Sequence, residues 1–290
     1  MGVVQQFNAL IWSWAEMFRA LRRRTALAPF LIYAGVQTVV LLMLLGFTIP
    51  PLRLFVPALL RWRFGEQALH YPNNLLALRG ALGQADLVLS VFLGALVTAA
   101  AVHLFASFYI KQRARLSAGL AVGRSNYVPA LAVALIVAVL SQVVVRVPMS
   151  IWGGLADSSP MRFRLLRLLL IGVVLAVQAI FLYGIVAVVV DGKRLGAALG
   201  STVAIASRNP VTTLLLVAVP AALELLPAWL MRNSSVIIYR FSPEFLVVGM
   251  FLWIVVILFI NYATVGAATR FYLHATANEG PSPEPVEGQR

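Results

Sequence analysis

Apolar runs long enough to cross a bilayer recur six times in this chain, and no other feature limits its fold so strongly. They fall at about 27–49, 87–110, 128–149, 165–190, 211–231 and 245–269. A helix rising 1.5 Å per residue needs roughly 20 apolar residues to cross a hydrocarbon core of roughly 30 Å. Hydrocarbon offers backbone groups no water, so a spanning segment bonds its own peptides and becomes a helix. Composition closes the soluble alternative. The 290 residues are 61% hydrophobic and 11% charged, whereas a soluble domain is about 25% charged and cannot hide so much apolar surface at this length. The reading is an all-α polytopic membrane protein with six transmembrane helices, a single membrane domain over 1–275 and a disordered cytoplasmic tail at 276–290.

Between the runs lie weaker signals. In the 50–86 connection, "PPLRLFVPALLRW" reads as a short interfacial helix, and "NNLLALRGALGQADL" as another helix or an extension of the second span. The fifth run holds Pro220, Glu224 and Pro227, which predicts a kink near Pro220. The first thirty residues do not read as a signal peptide, because their charges follow the apolar residues instead of preceding them.

The formal net charge is +13, from 23 Lys and Arg against 10 Asp and Glu. These basic residues stand mostly between apolar runs, where they meet anionic headgroups; membrane lipid is therefore the expected partner and nucleic acid is not. Arg19, Arg22, Arg23 and Arg24 precede the first span, and such clusters at span ends set orientation. Both termini are expected to be cytoplasmic, in the cell's inner (cytoplasmic) membrane. Trp12, Trp14, Trp62, Trp152 and Trp229 lie near the span ends, as an aromatic belt requires, while Trp253 falls deeper and reads as packing.

One pattern is written twice. "RLSAGLAVGRSNYVP" from Arg115 and "RLGAALGSTVAIASRNP" from Arg194 each give an arginine, small residues at helical spacing, a basic residue, an asparagine and a proline before a span. Leu116, Leu120 and Val122, and likewise Leu195, Leu199, Val203 and Ala206, suit short helices lying in the interface. Asn126 and Asn209 are placed to cap the following spans, with Pro129 and Pro210 in their first turns. The N-terminal stretch resembles a third copy, with Phe7, Ile11, Trp14 and Phe18 on one stripe and Pro29 after the arginines. Three units follow, about 7–110, 111–190 and 191–275, each an interfacial amphipathic helix plus a transmembrane hairpin. Arg115, Arg124, Arg194, Arg208 and Arg270 join the N-terminal cluster as candidate headgroup contacts. Ala130, Ala134 and Ala138 in the third span, and Ser90, Gly94 and Thr98 in the second, are expected to be faces of close helix contact.

Polar groups in the hydrocarbon are expensive and point to function or to specific packing. Glu224, Gln178, Asn261 and His103 form the candidate intramembrane polar set; Gln37 and Gln142 read as interhelical hydrogen bonds. Glu224, between two prolines, could relay a proton or hold a cation, or pair with Arg232. No catalytic signature is present: no Walker lysine motif, no HExxH, and three histidines in separate segments. No cofactor and no metal site are expected, and the absence of cysteine excludes thiolate chemistry.

With these entries before the odd spans and a closing "TRFYLHA", the chain resembles bacterial six-span membrane proteins of unknown function and the membrane domain fused to some glycerophosphodiester phosphodiesterases. The resemblance implies a membrane domain and carries no catalytic residue, since the soluble phosphodiesterase domain has no counterpart here. It is also similar to small permease subunits of ABC exporters, without a coupling motif. The functional expectation is a structural or accessory membrane protein binding lipid, a membrane protein partner or another copy of itself. The alternative is a transporter or permease subunit with a separate ATPase partner.

Overall fold

In a computed structural model the chain is all-α. The structure describes residues 3–277 apart from 47–48, 72, 114, 153–158, 241 and 243. The expected disordered tail therefore lies almost wholly outside the described residues. Thirteen α-helices are described: α1 (Val3–Ala20), α2 (Arg24–Leu45), α3 (Leu52–Phe64), α4 (Asn73–Tyr109), α5 (Leu116–Ser125), α6 (Tyr127–Trp152), α7 (Pro160–Phe181), α8 (Gly184–Val190), α9 (Leu195–Arg208), α10 (Pro210–Leu223), α11 (Leu225–Arg232), α12 (Ser234–Arg240) and α13 (Phe245–Ala277). Five segments are long and apolar enough to cross a membrane: α2, α4, α6, α7 with α8, and α13.

The sixth crossing differs from its expectation. The 211–231 run is not one helix; it breaks at Glu224 into α10 and α11. Pro220 and Pro227 supply the cause, since each withholds an amide from the carbonyl four residues earlier. The break falls one turn beyond Pro220, between the two prolines. "NNLLALRGALGQADL" lengthens the second span into the 37-residue α4, and "PPLRLFVPALLRW" forms α3.

Each short basic helix precedes a span, as the sequence pattern demands. Between α9 and α10 the chain turns by 98°, so α9 lies across the direction in which α10 runs. Helix neighbours then repeat in a cyclic order. The short helices α5, α9 and α1 pack on α4, α8 and α13 respectively, and also on α2, α6 and α10. Likewise α4 packs on α6, α7 on α10, and α13 on α2. Dividing the chain as 3–109, 116–190 and 195–277 makes these relations of one unit recur in the next, and α1 against α13 closes the ring. At its centre α4, α8 and α13 touch one another.

Small residues explain the closeness at the end carrying α1, α5 and α9, called here the basic end. A Cβ on Gly123 would lie 2.9 Å from the Leu96 carbonyl oxygen of α4, and one on Gly119 3.1 Å from that of Ala100. On α1 the inward face is Gln6, Leu10, Ser13, Met17 and Ala20; on α9 it is Ala198, Thr202, Ile205 and Ala206. The stripe Phe7, Ile11 and Phe18 turns outward and is exposed. A bulky apolar stripe turned outward, as on α1, suits a helix whose second face meets acyl chains.

Candidate functional site

Two groupings of polar side chains lie among the spanning helices, and the four candidate residues do not converge on either. The first is a lateral cavity of about 500 Å³ between α4, α6 and α7. Its walls are chiefly Val, Leu, Ile and Ala, interrupted by Ser90, Thr98, Ser141, Gln142 and Gln178. Gln178 is thus placed on a cavity wall and not in a helix contact. The Ser141 Oγ is buried without a hydrogen-bond partner, and no described group bonds the amides of Gln142 and Gln178. Ala130 packs with Ala95 and Ala99 of α4 as expected, and Ala134 packs against the same cluster while bordering the cavity; Ala138 faces the cavity. So do Ser90 and Thr98, which corrects Ala138 of one small-residue face and two of three residues of the other from helix contact to cavity wall.

The second grouping surrounds two carboxylates. Tyr33 of α2 donates its hydroxyl to Asp86 Oδ1 of α4 at 3.0 Å, and the Gln37 amide donates to the same oxygen. Gln37 is fully buried, and its own amide oxygen has no partner. Glu224, at the break after α10, accepts from the Trp253 indole N–H at 3.5 Å. Trp253 is therefore a polar contact as well as a packing residue. The Arg232 side chain lies outside the described residues, and so does its expected pairing with Glu224. Asp86 was missed in the sequence because the second span was begun one residue later, although it is the sole acidic residue of α4. Asn261 and His103 are half-buried on α13 and α4, away from both groupings.

At the basic end, aromatic rings and cations bind the units together. Phe105 meets Tyr262 edge-on at 5.1 Å, and Tyr262 meets Phe30 at 5.7 Å. Tyr183 shares a hydrogen bond with Thr213 at 3.1 Å. Tyr272 donates to Asp191 Oδ2 at 2.6 Å, where Lys193 also pairs at 2.8 Å. The bond to Asp191 pushes the Lys193 ammonium above its ordinary value, more than burial pulls it down.

The candidate headgroup contacts divide. Arg115 and Arg194 stand at the N-cap positions of α5 and α9, Arg124 and Arg208 in their last turns, and all four are exposed. Arg22 and Arg24 are exposed beside α2, and Arg19 pairs with Glu16 while staying largely open to solvent. Arg23 lies over the Phe108 ring at 5.3 Å. Arg270 sits between the rings of Trp12 and Tyr109, at 4.9 and 5.7 Å. It fastens α1 to α13, a role its place at the end of a span did not suggest. The asparagines also act differently from expectation. Asn126 and Asn209 donate Nδ2 to the carbonyls of Val122 and Ile205, closing the short helices instead of capping the spans that follow.

Among the described residues no three His, Cys, Asp or Glu gather as metal ligands do. Comparison with known proteins finds no matching family model, curated protein or solved structure. Fold and site define a polytopic all-α membrane protein with a basic end, a lateral cavity and two half-buried carboxylates, Asp86 and Glu224.

Proposed function

We propose that the protein is a structural or accessory component of the inner (cytoplasmic) membrane that binds lipid, with both termini and the basic end in the cytoplasm. One observation carries this reading: three short helices gather at one end with exposed arginines, α1 turning bulky apolar residues outward while α5 and α9 bury small residues and leave their leucines half-buried. Such helices seat their apolar face among acyl chains and their arginines among anionic headgroups, each cation near the surface contributing about 1 kcal/mol. α6 leaves a further face for lipid, a protein partner or another copy, since only 11% of its most apolar window is buried.

The test is lipid selectivity in nanodiscs of mixed phosphatidylglycerol and phosphatidylcholine, read by native mass spectrometry. The wild type is expected to enrich the anionic lipid, and a variant with Arg22, Arg124 and Arg194 changed to Gln to lose most of that enrichment. Equal lipid ratios around both proteins would contradict the reading.

The carboxylate pair favours a second reading, a transporter or permease subunit. Asp86 and Glu224 are costly in hydrocarbon and lie near a helix break of the kind that coordinates ions in transporters. Flux abolished by Glu224→Gln with the fold intact, or a stoichiometric ATPase partner on purification, would establish this reading over the first.

A further inference from the structure

We propose that one phospholipid with two acyl chains sits astride α6 from the leaflet opposite the basic end, an inference that rests on the lipid-binding reading above. Two hollows meet at this helix. The lateral cavity lies between α4, α6 and α7, and a shallower groove of about 510 Å³ runs along the other side of the α4–α6 contact. Ala138 and Gln142 line both, so a ligand entering one hollow borders the other. Where the two meet, α6 carries a small side chain at Ala138, and beyond it a graded series of polar groups.

That series has the order of a phospholipid. Arg146 lines the groove one turn beyond Gln142, toward the end of α6 away from the basic end, and it is exposed. Gln142 to Arg146 is about 6 Å along the helix axis, a step that suits phosphate followed by ester carbonyl. The guanidinium matches the phosphodiester in charge and in hydrogen-bonding geometry. The Gln142 amide and the Ser141 hydroxyl supply donors at the depth of the esters.

Energetics select an occupant with both characters. An amide or hydroxyl left unpaired in hydrocarbon costs several kcal/mol. The unbonded groups of Ser141, Gln142 and Gln178 therefore call for a polar partner, while the valines and leucines around them call for chains. One chain occupies the groove against Val139, the other the cavity. Without such an occupant Ala134 and Ala138 would border a void, which packed interiors avoid.

The experiment delipidates purified protein in mild detergent, adds back dioleoyl-phosphatidylglycerol, and counts bound lipid per chain by native mass spectrometry. The wild type is expected to hold one lipid after washing. Ala138→Trp, which puts an indole where the two hollows meet, should hold none. Val139→Trp projects from an already exposed position and keeps the test valid if Ala138→Trp misfolds; it should weaken binding at least ten-fold. Arg146→Gln should weaken it several-fold. Arg22→Gln with Arg124→Gln should leave this single lipid in place, which separates the site from anionic enrichment at the basic end. A wild type that retains no lipid, tryptophan variants that retain one, or wild-type dimers in place of bound lipid would each overturn the proposal.

Discussion

At the basic end, α5 approaches α4 until backbones touch; α4, α6 and α7 instead separate around a cavity that runs from Leu87 and Val145 inward to Val133, Val186 and Ala268. The contrast follows residue size and ring placement. Gly119, Gly123 and Gly266 all lie where a Cβ would meet a neighbour within 3 Å, and the fully buried Tyr183, Tyr262, Tyr272, Phe105 and Phe271 fill what remains. Farther from that end, Gly35, Gly83 and Gly172 have nothing within 4 Å. Small residues therefore do two jobs, permitting contact at some positions and leaving room at others. A Cβ on Gly196 or Gly200 of α9 would also meet nothing within 4 Å, and one on Gly80 in the far half of α4 would meet Phe64 at 2.9 Å.

The largest effect should come from the ring cluster. Tyr262→Ala removes the ring between Phe30 and Phe105, and truncating a buried aromatic costs about 3–5 kcal/mol. Unfolding of the purified protein in mixed micelles should show this loss; a change below about 1 kcal/mol would mean that the basic end is not the rigid part.

A smaller effect separates the two kinds of glycine. Gly123→Leu forces α5 off the α4 backbone, and overpacking of this sort costs about 1–3 kcal/mol. Gly172→Ala meets open space and removes a weak helix former, so it should stabilise by up to about 1 kcal/mol. Equal destabilisation by the two would erase the distinction.

The smallest effect is electrostatic. Because Lys193 is raised in the folded protein, its contribution is fully present below the unfolded lysine value of 10.5 and is lost as pH rises through the higher folded value. Lys193 keeps about a third of its side chain in solvent, and screening of such a pair holds the contribution to about 1 kcal/mol or less. Melting temperature should hold from neutral pH to about 10 and then fall more steeply for the wild type than for Asp191→Asn. Parallel curves would remove the pair from the account.

How much was legible follows from range of interaction. Apolar runs and the paired "RLSAGLAVGRSNYVP" and "RLGAALGSTVAIASRNP" entries are local, and α5, α9 and the spans after them stand where those stretches stand. The break at Glu224 was foreseen one turn early, because two prolines share in producing it. Partners distant along the chain were not legible. Nothing near Arg270 announces Trp12, and nothing near Asp86 announces Tyr33 and Gln37. Alanines at every fourth position look alike whether a helix or a cavity faces them. Ala130 packs on α4 whereas Ala138, two turns on, borders the cavity.

Distance distributions by electron paramagnetic resonance test the closed and open ends most directly, and a chain without cysteine admits single labelled pairs. Ser117→Cys with Ser207→Cys reports on the basic end, and Gln84→Cys with Ser150→Cys on the opposite half. In liposomes the first pair should give one narrow distance whatever the lipid. The second should be broad in detergent and narrow when phospholipid is added. Equal widths for the two pairs, unchanged by lipid, would contradict the division on which this account rests.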